Sequence, residues 1–460
     1  MRKEICGMKN KRRTGWVLHT VLIVVVLCSV VLSALIWISP AYFQRIFVVN
    51  TLKKDKNVSD DVTPADKKKL TDIYRPTAIT YTKNASVQLT SNRVDVVDLV
   101  GDYLNKTKFT DIKRAQKVTK ARYLKLLQTK NSFQLNYGAK VSFGMIKDYL
   151  ENTDDRSEDS FDHIVLSLNS RKIYFLEDEG LRVYEAKLTK KLAADFKKLV
   201  KDKDIEQAKI SYRYQNGHVL RLYEQKMTVP RYSYLYNKEN IGLYVTRLLG
   251  AEKSNSSTVN SREQNGETIY SNDAGQKLSL KDKTGLITYT DYVTEDQATK
   301  YWTLNDHLNK AFEDLEQLGV NLADVKYSEY DNQNKNVIYR SYIDGFPVIS
   351  ARDFGTYQLQ NKPRDKRIIF SQYSLQVPVP AAGKAVTLQP TSEILSKLQD
   401  YNISSDKVTD ITIGYQVTQN KTASLVIDLT PVYFVKYNNV WVNYEDLITN
   451  KKWGDNDNEL

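Results

Sequence analysis

Near its start the chain carries its most strongly apolar stretch. From Trp16 to Ile38 there are 23 consecutive residues without a charged side chain, enough for one α-helix to cross about 30 Å of hydrocarbon. Residues 1–15 contain six Lys and Arg side chains and one Glu, and basic flanks of this kind stay in the cytoplasm. We therefore predict a cytoplasmic tail over 1–15, an uncleaved transmembrane helix over 16–38 and a polar juxtamembrane linker over 39–73.

Beyond the linker, alternating apolar and polar residues predict many short strands with few helices between them. The clearest helix is 304–318, where apolar side chains recur on one face and Gly319 follows as a stop. Asn216 and Gly217 lie between two alternating stretches and have the composition of a two-residue hairpin turn. These patterns predict an α+β fold with mostly antiparallel sheets.

Changes in the pattern divide this exterior region into three predicted domains, over 74–203, 204–297 and 298–460. The second and third share an order of hairpin strands, a helix and then antiparallel strands. We therefore expect the last two domains to be similar. The third domain ends in two long predicted strands, the second of them over 423–442.

Cysteine content and charge fit a domain outside the cytoplasm. Both cysteines, Cys6 and Cys28, precede the exterior region, so we expect no disulfide framework there. Part of the net charge of +12 belongs to the short tail, which leaves the exterior only mildly basic. Such a surface suits an anionic wall or lipid surface, whereas nucleic acid lies on the other side of the membrane. We expect a single-pass protein of a bacterial cell membrane.

Residues suited to catalysis or metal binding are few. The sequence contains four histidines: His19, His163, His218 and His307. None is followed by a second histidine four residues later, and the chain has no HExxH, no G-x-S-x-G and no phosphate-binding loop. The acidic pair Asp154 and Asp155 lies in a polar run typical of a solvated loop. We predict no catalytic residue, no cofactor and no metal site.

The transmembrane segment offers a surface for a partner helix. Ser29 and Ser33 are four residues apart, and small residues at this spacing let another helix approach closely and accept or donate hydrogen bonds. A tail of this length is too short to fold by itself. We therefore expect any signal to the cytoplasm to pass through a partner that also crosses the membrane.

The segment YRSYIDGFPVIS, residues 339–350, raises the question of a catalytic carboxylate. Asp344 and Gly345 have the composition of a type I′ turn, in which both central residues take positive φ. We therefore interpret Asp344 as a turn former rather than an acid. Because Pro347 cannot donate a ladder hydrogen bond, its strand is expected to lie at a sheet edge or to begin there.

Several segments carry a family resemblance. They are YRPT (74–77), FDHIVLSL (161–168), REQNGETIY (262–270), YRSYIDGFPVIS (339–350) and LTPVYFVKYNNVWV (429–442). Their order, together with the basic tail, single span and cysteine-free exterior, resembles the YycH regulatory proteins of Gram-positive bacteria. The turn residues Asp344, Gly345 and Pro347 belong to one of these family segments.

This resemblance implies a non-enzymatic accessory protein with no catalytic residues to carry over. Such proteins associate with a YycI-like single-span protein and with the sensor histidine kinase of the essential WalK–WalR cell-wall system, and they modulate the kinase through transmembrane contacts. Two other functions stay open from the residues alone. One is an extracytoplasmic wall-active hydrolase that uses acidic residues, and the other is a ligand-binding sensor module.

Overall fold

The computed structural model describes residues 68–91, 96–97, 108–110, 112–113, 115–149, 156–189, 200–202, 205–250, 259–292, 301–381 and 383–449. All of them belong to one compact unit, residues 64–460. Within these ranges no helix is both long enough and apolar enough to span a membrane. The predicted transmembrane helix over 16–38 lies outside the described residues.

Helices are short and few in the described ranges. They are α1 Leu70–Ile73, α2 Lys120–Leu127, α3 Ile241–Leu249, α4 Leu304–Leu318, α5 Thr391–Asp400 and α6 Tyr444–Ile448, with 3₁₀ segments at Phe143–Tyr149 and Ser405–Lys407. Helix α4 confirms the predicted helix. Thr303 and Asp306 form a capping box at its start, and Gly319 ends it in the left-handed conformation. Leu308 and Leu315 on its apolar face are fully buried.

The first sheet contains ten antiparallel strands. They are β1 Ala78–Thr82, β2 Ser86–Thr90, β3 Phe109–Thr110, β4 Gln116–Lys117, β5 Ser132–Ser142, β6 Ser160–Ser167, β7 Lys172–Glu177, β8 Arg182–Leu188, β9 Glu206–Gln215 and β10 His218–Tyr223. Their order across the sheet is β10-β9-β2-β1-β5-β6-β7-β8-β3, and β4 also pairs with β8.

The predicted hairpin at Asn216 and Gly217 is confirmed. These two residues join β9 to β10, and their φ angles are 52° and 84°. Gln215 pairs with His218, so the loop has two residues. Positive φ at both positions matches the strand twist of a type I′ turn, which favours Asn followed by Gly.

The second sheet has fourteen strands, and a separate two-stranded ribbon pairs β11 Met227–Val229 with β23 Val386–Leu388. The fourteen are β12 Tyr232–Lys238, β13 Asn260–Gln264, β14 Glu267–Ser271, β15 Gln276–Lys281, β16 Leu286–Asp291, β17 Val325–Asp331, β18 Asn336–Ile343, β19 Phe346–Ile349, β20 Thr356–Asn361, β21 Lys366–Ser371, β22 Tyr373–Val379, β24 Val408–Gln419, β25 Val426–Tyr437 and β26 Val440–Asn443. The order is β13-β14-β15-β16-β21-β20-β18-β19-β24-β25-β12-β22, with β17 on β18 and β26 on β25.

Strand pairing confirms the prediction of mostly antiparallel sheets. Among the pairs that the structure describes, only β19 and β24 run parallel. The strands of region 204–297 are shared between the sheets: β9 pairs with β2 of the first sheet, whereas β12 lies between β25 and β22 of the second. The predicted middle region therefore contributes to both sheets.

The last predicted strand, 423–442, is wrong as a single element. Asn438 and Asn439 both have positive φ and form a turn that separates β25 from β26. Tyr437 and Val440 face each other across this turn. The preference of Asn for the left-handed region accounts for the break.

The two sheets pack against each other through shared cores. One buried cluster joins Phe175 of β7 to Leu278 of β15, and a second joins Leu220 of β10 to Ile413 of β24. Because each cluster contains side chains of both sheets, neither sheet buries its apolar face alone.

Three buried tyrosines fasten the start of the described chain to the second sheet. The Tyr74 hydroxyl donates to the Leu308 carbonyl oxygen at 2.6 Å, and the Tyr339 hydroxyl lies 2.7 Å from it. The Tyr327 ring lies 5.1 Å from the Tyr74 ring. Because the Tyr74 hydroxyl donates its hydrogen to the Leu308 carbonyl, its oxygen accepts a hydrogen bond from the Tyr339 hydroxyl. Both hydroxyl groups therefore have partners.

Candidate functional site

A polar cavity of about 110 Å³ lies where the first sheet meets the second. Strands β5, β6, β9 and β10 contribute lining residues from the first sheet, and β17, β18, β19 and β24 contribute them from the second. The charged or titratable groups of this lining are His163, Arg221, Arg340 and Asp410, to which tyrosine hydroxyls add further polar atoms. The cavity is therefore built by residues that are far apart in the sequence.

The hairpin of β18 and β19 forms one wall of this cavity. Asp344 and Gly345 join the strands with φ angles of 50° and 81°, and Ile343 pairs with Phe346. Gly345 and Phe346 line the cavity. The Tyr232 hydroxyl donates to the Asp344 carboxylate, which holds the turn against β12.

The sheet-edge expectation for Pro347 is wrong. Its strand β19 lies inside the second sheet, between β18 and β24. Pro347 is the second residue of this four-residue strand, and its pairing with β18 extends over only two residue pairs. Because the ladder is so short, the missing backbone N–H of Pro347 removes little of its hydrogen bonding. Pro347 itself lines the cavity.

Two arginines reach the cavity from opposite sheets. Arg221 lies on β10 and Arg340 on β18. Arg340 is only 7% exposed, and its Nη1 donates to Thr356 Oγ1 at 2.9 Å. The Nε atoms of both arginines are buried without a hydrogen-bond partner among the described residues. Both arginine residues line the cavity, although these two Nε atoms are themselves closed off from solvent.

His163 is held between two oxygen acceptors. The Asn136 side-chain amide donates to Thr80 Oγ1 at 3.1 Å, so its oxygen faces the ring, 2.9 Å from His163 Nδ1. His163 Nε2 lies 3.1 Å from Asp178 Oδ1. Since both ring nitrogens face acceptors, the geometry fits a doubly protonated, positively charged imidazole.

Asp178 is the counter-ion of this imidazole. Its carboxylate also accepts from the Tyr123 hydroxyl at 2.6 Å and from the Val219 amide at 3.3 Å. Burial opposes its charge, but the charge of His163 and the hydrogen bonds from His163, Tyr123 and Val219 together outweigh burial and lower the pKa of Asp178. Burial and the neighbouring Asp178 raise the pKa of Asp162, whose carboxylate accepts from the Asp178 amide at 2.8 Å.

Burial opposes the charge of His163, but the attraction of Asp178 and Asp162, together with the hydrogen bond to Asp178, outweighs burial and raises the pKa of His163. The stabilisation is fully present below the unfolded pKa, about 6.5, and is lost as pH rises through the folded pKa. We expect the free energy of unfolding to fall as the pH rises above about 6.5, by at most about 1.4 kcal/mol per pH unit for this proton.

Thermal unfolding at a series of pH values tests this expectation. The control is His163→Gln, which keeps a polar side chain but cannot titrate. We expect its stability to be flatter above pH 6.5 than that of the parent chain. Equal slopes in the two proteins would show that another group controls the dependence.

Comparison with known families bears on this fold. The sequence-family model for the YycH protein N-terminal domain matches residues 17–207, and the sequence-family model for the YycH protein C-terminal domain matches residues 222–451. The two matches together cover well over half of the chain. The chain belongs to the YycH family.

A solved structure supports the fold assignment. The crystal structure of YycH from Bacillus subtilis matches with a TM-score of 0.63 and 16% sequence identity, over 82% of this chain and 97% of that one. No curated protein sequence matches this chain. Membership of the YycH family supports a regulatory role in the WalK–WalR two-component system.

The predicted YycH site residues divide into two groups. The predicted partner-binding residues Ser29 and Ser33 lie outside the described residues, and their role stays a prediction. Asp344, Gly345 and Pro347 come together at the hairpin beside the cavity, where Gly345 and Pro347 are lining residues. Among the residues that the structure describes, no group of three or more His, Cys, Asp or Glu side chains could hold a metal ion.

Sequence reasoning missed the two cavity arginines. Arg221 and Arg340 each interrupt a largely apolar strand, in HVLRLY and NVIYRSYI. A charged residue within such a strand is a signal, because burying an arginine requires a partner or a ligand. The strand pattern alone does not reveal that the two residues line the same cavity of this YycH protein.

Proposed function

We propose that this chain is a membrane-anchored, non-enzymatic regulator of an essential cell-wall-sensing histidine kinase of the WalK type. The observation that carries this proposal is the match of both YycH family models, over 17–207 and 222–451. In this proposal the exterior region and the membrane span both contact partners, and one partner is a YycI-like single-span protein.

The anchor proposed for this regulator is the uncharged run over 16–38. The basic tail over 1–15 orients its N-terminus toward the cytoplasm, and the remaining chain is then extracytoplasmic. This placement separates the exterior from the kinase catalytic apparatus. Regulation therefore passes through contacts outside the membrane and within it.

The exterior is proposed to consist of three units, over 74–203, 204–297 and 298–460. The last two units share an order of elements, a helix followed by antiparallel strands, and this shared order supports their likeness. Helix α3 is followed by the antiparallel strands β13 to β16, and helix α4 by antiparallel pairings among β17, β18, β20 and β21.

The proposed partner contact is the face of the transmembrane segment that carries the small residues Ser29 and Ser33. Ser29 and Ser33 are four residues apart in the proposed transmembrane helix, and leucine at both positions would block close approach of a partner helix. We expect the double variant Ser29→Leu/Ser33→Leu to recover several-fold less histidine kinase and YycI-like protein from solubilised membranes. Affinity capture of the tagged chain followed by mass spectrometry measures this recovery.

Two variants separate packing from general damage to the span. Ser29→Ala/Ser33→Ala keeps the small size and removes the hydroxyls, and Val31→Leu enlarges a residue on the opposite side of the helix. Both should retain recovery close to that of the parent chain. If the parent captures neither a membrane kinase nor a single-span partner, the regulator proposal is wrong. Unchanged recovery with the double leucine variant contradicts only the proposal that the face with Ser29 and Ser33 contacts the partner.

A further inference from the structure

The cavity between the sheets carries more positive than negative charge. Arg221 and Arg340 line it, and the geometry of His163 fits a protonated ring. Among the described lining residues, Asp410 is the one carboxylate, and it accepts from the Ile411 amide at 2.8 Å. The charge of His163 is balanced by Asp178, so the lining itself contains one carboxylate and two guanidinium groups. Asp353, which does not line the cavity, also interacts electrostatically with Arg340.

Arg340 is the group that most requires a partner. It is more than nine-tenths buried, and Thr356 fixes the guanidinium through Nη1 while Nε has no partner among the described residues. A buried donor without a partner costs about 1–3 kcal/mol, and more when it is charged. An anion in the cavity would add a counter-charge to this buried guanidinium group.

The size of the cavity limits the ligand. Its volume is about 110 Å³, somewhat smaller than an engineered cavity of roughly 150 Å³ that holds benzene. By this comparison, a ligand of about five heavy atoms fits the cavity, whereas a nucleotide or a sugar is too large. Guanidinium groups bind oxyanions well, because two N–H donors match two oxygens.

We propose that this cavity binds a small free oxyanion, of the phosphate or carboxylate class, between Arg221 and Arg340. The ligand would contact β10 of the first sheet and β18 of the second, so its binding would fasten the two sheets to each other. This inference is independent of the proposed kinase partner, and its test requires no second protein.

Calorimetric titration of the purified full chain in mild detergent and chloride buffer tests the proposal. The probes are inorganic phosphate and acetate, with sodium chloride at matched ionic strength as the control for salt effects. We expect saturable binding of one oxyanion per chain, with a rise in Tm that chloride does not produce. The tighter of the two probes identifies the ligand class.

Variants assign the binding to the cavity. Arg340→Gln should weaken the better probe about tenfold or more, as expected for loss of a charged donor, and Arg221→Gln should weaken it as well. Asp410→Asn should strengthen binding, because it removes the one carboxylate of the lining, whereas a merely structural role of Asp410 gives no such gain. The matched control is Arg367→Gln, since Arg367 also has a buried, unpartnered Nε but does not line this cavity.

Two outcomes would overturn the proposal. One is the absence of saturable binding by either probe, and the other is equal binding by the parent chain and the cavity variants. Circular dichroism verifies that each variant is folded. If Arg340→Gln does not fold, the less buried Arg221→Gln decides the result together with Asp410→Asn.

Discussion

Replacing Asp178 with alanine is expected to lower the free energy of unfolding by about 3–5 kcal/mol. The Asp178 side chain is 13% exposed and that of His163 is 10% exposed, so solvent screens this pair only weakly. Removal of the carboxylate leaves the imidazole charge without its counter-ion. It also leaves the Tyr123 hydroxyl and the Val219 amide without their acceptor. Chemical unfolding followed by tryptophan fluorescence measures the loss.

The adjacent residue provides the matched control for this variant. Glu179 pairs with Lys140, but its side chain is 73% exposed, and exposed ion pairs contribute at most about 1 kcal/mol. Glu179→Gln should therefore cost far less than Asp178→Ala. The double variant His163→Gln/Asp178→Asn should be more stable than Asp178→Ala, since it removes both charges together. If Asp178→Ala and Glu179→Gln cost the same, the pair does not act as a buried ion pair.

Tyr74→Ala is the second substitution with a large expected cost, about 3–5 kcal/mol. The side chain is 2% exposed and packs on the Tyr327 and Tyr339 rings. Truncation opens a cavity between the start of the described chain and the second sheet, and it removes the hydrogen bond to the Leu308 carbonyl. Denaturant unfolding with a fitted midpoint and slope measures the effect.

Two further variants divide this cost into packing and hydrogen bonding. Tyr74→Phe keeps the ring but leaves the Leu308 carbonyl and the Tyr339 hydroxyl without this partner, so it should cost about 1–3 kcal/mol. Tyr401→Ala removes an exposed tyrosine, 56% accessible to solvent, and should cost less than about 0.5 kcal/mol. A Tyr74→Ala cost no greater than that of Tyr74→Phe would mean that the ring makes no net contribution to packing.

Local sequence patterns predicted local elements well, for physical reasons. Helix 304–318 was predictable because capping at its start, an apolar face and Gly319 all act within neighbouring residues. The hairpin at Asn216 and Gly217 was predictable because a two-residue turn restricts φ at both positions. The long predicted strand over 423–442 was wrong because Asn438 and Asn439 were read as strand residues rather than as a turn.

Distant pairings were not predictable from a single sequence. Alternation shows that β12 and β25 are strands, but it does not show that they are neighbours, because any two half-buried strands can pair. The lining of the cavity could not be predicted for the same reason. Arg221 and Arg340 are separated by more than one hundred residues, and only the packing of two sheets brings them to one place. For the same reason, the pattern around Pro347 could not reveal that β24 covers its strand.

The position of β12 in the second sheet constrains when that sheet can form. Tyr232 of β12 pairs with Leu429 of β25, so the strand finds this partner only after the long segment between them has been synthesised. Pairings between such distant segments carry a high entropic cost of loop closure and fold slowly. A chain interrupted before β25 keeps β12 with one neighbour fewer, and its exposed strand edge favours aggregation. The pairing of β12 with β25 is therefore a late step of folding, and termination before β25 should affect structure some two hundred residues upstream.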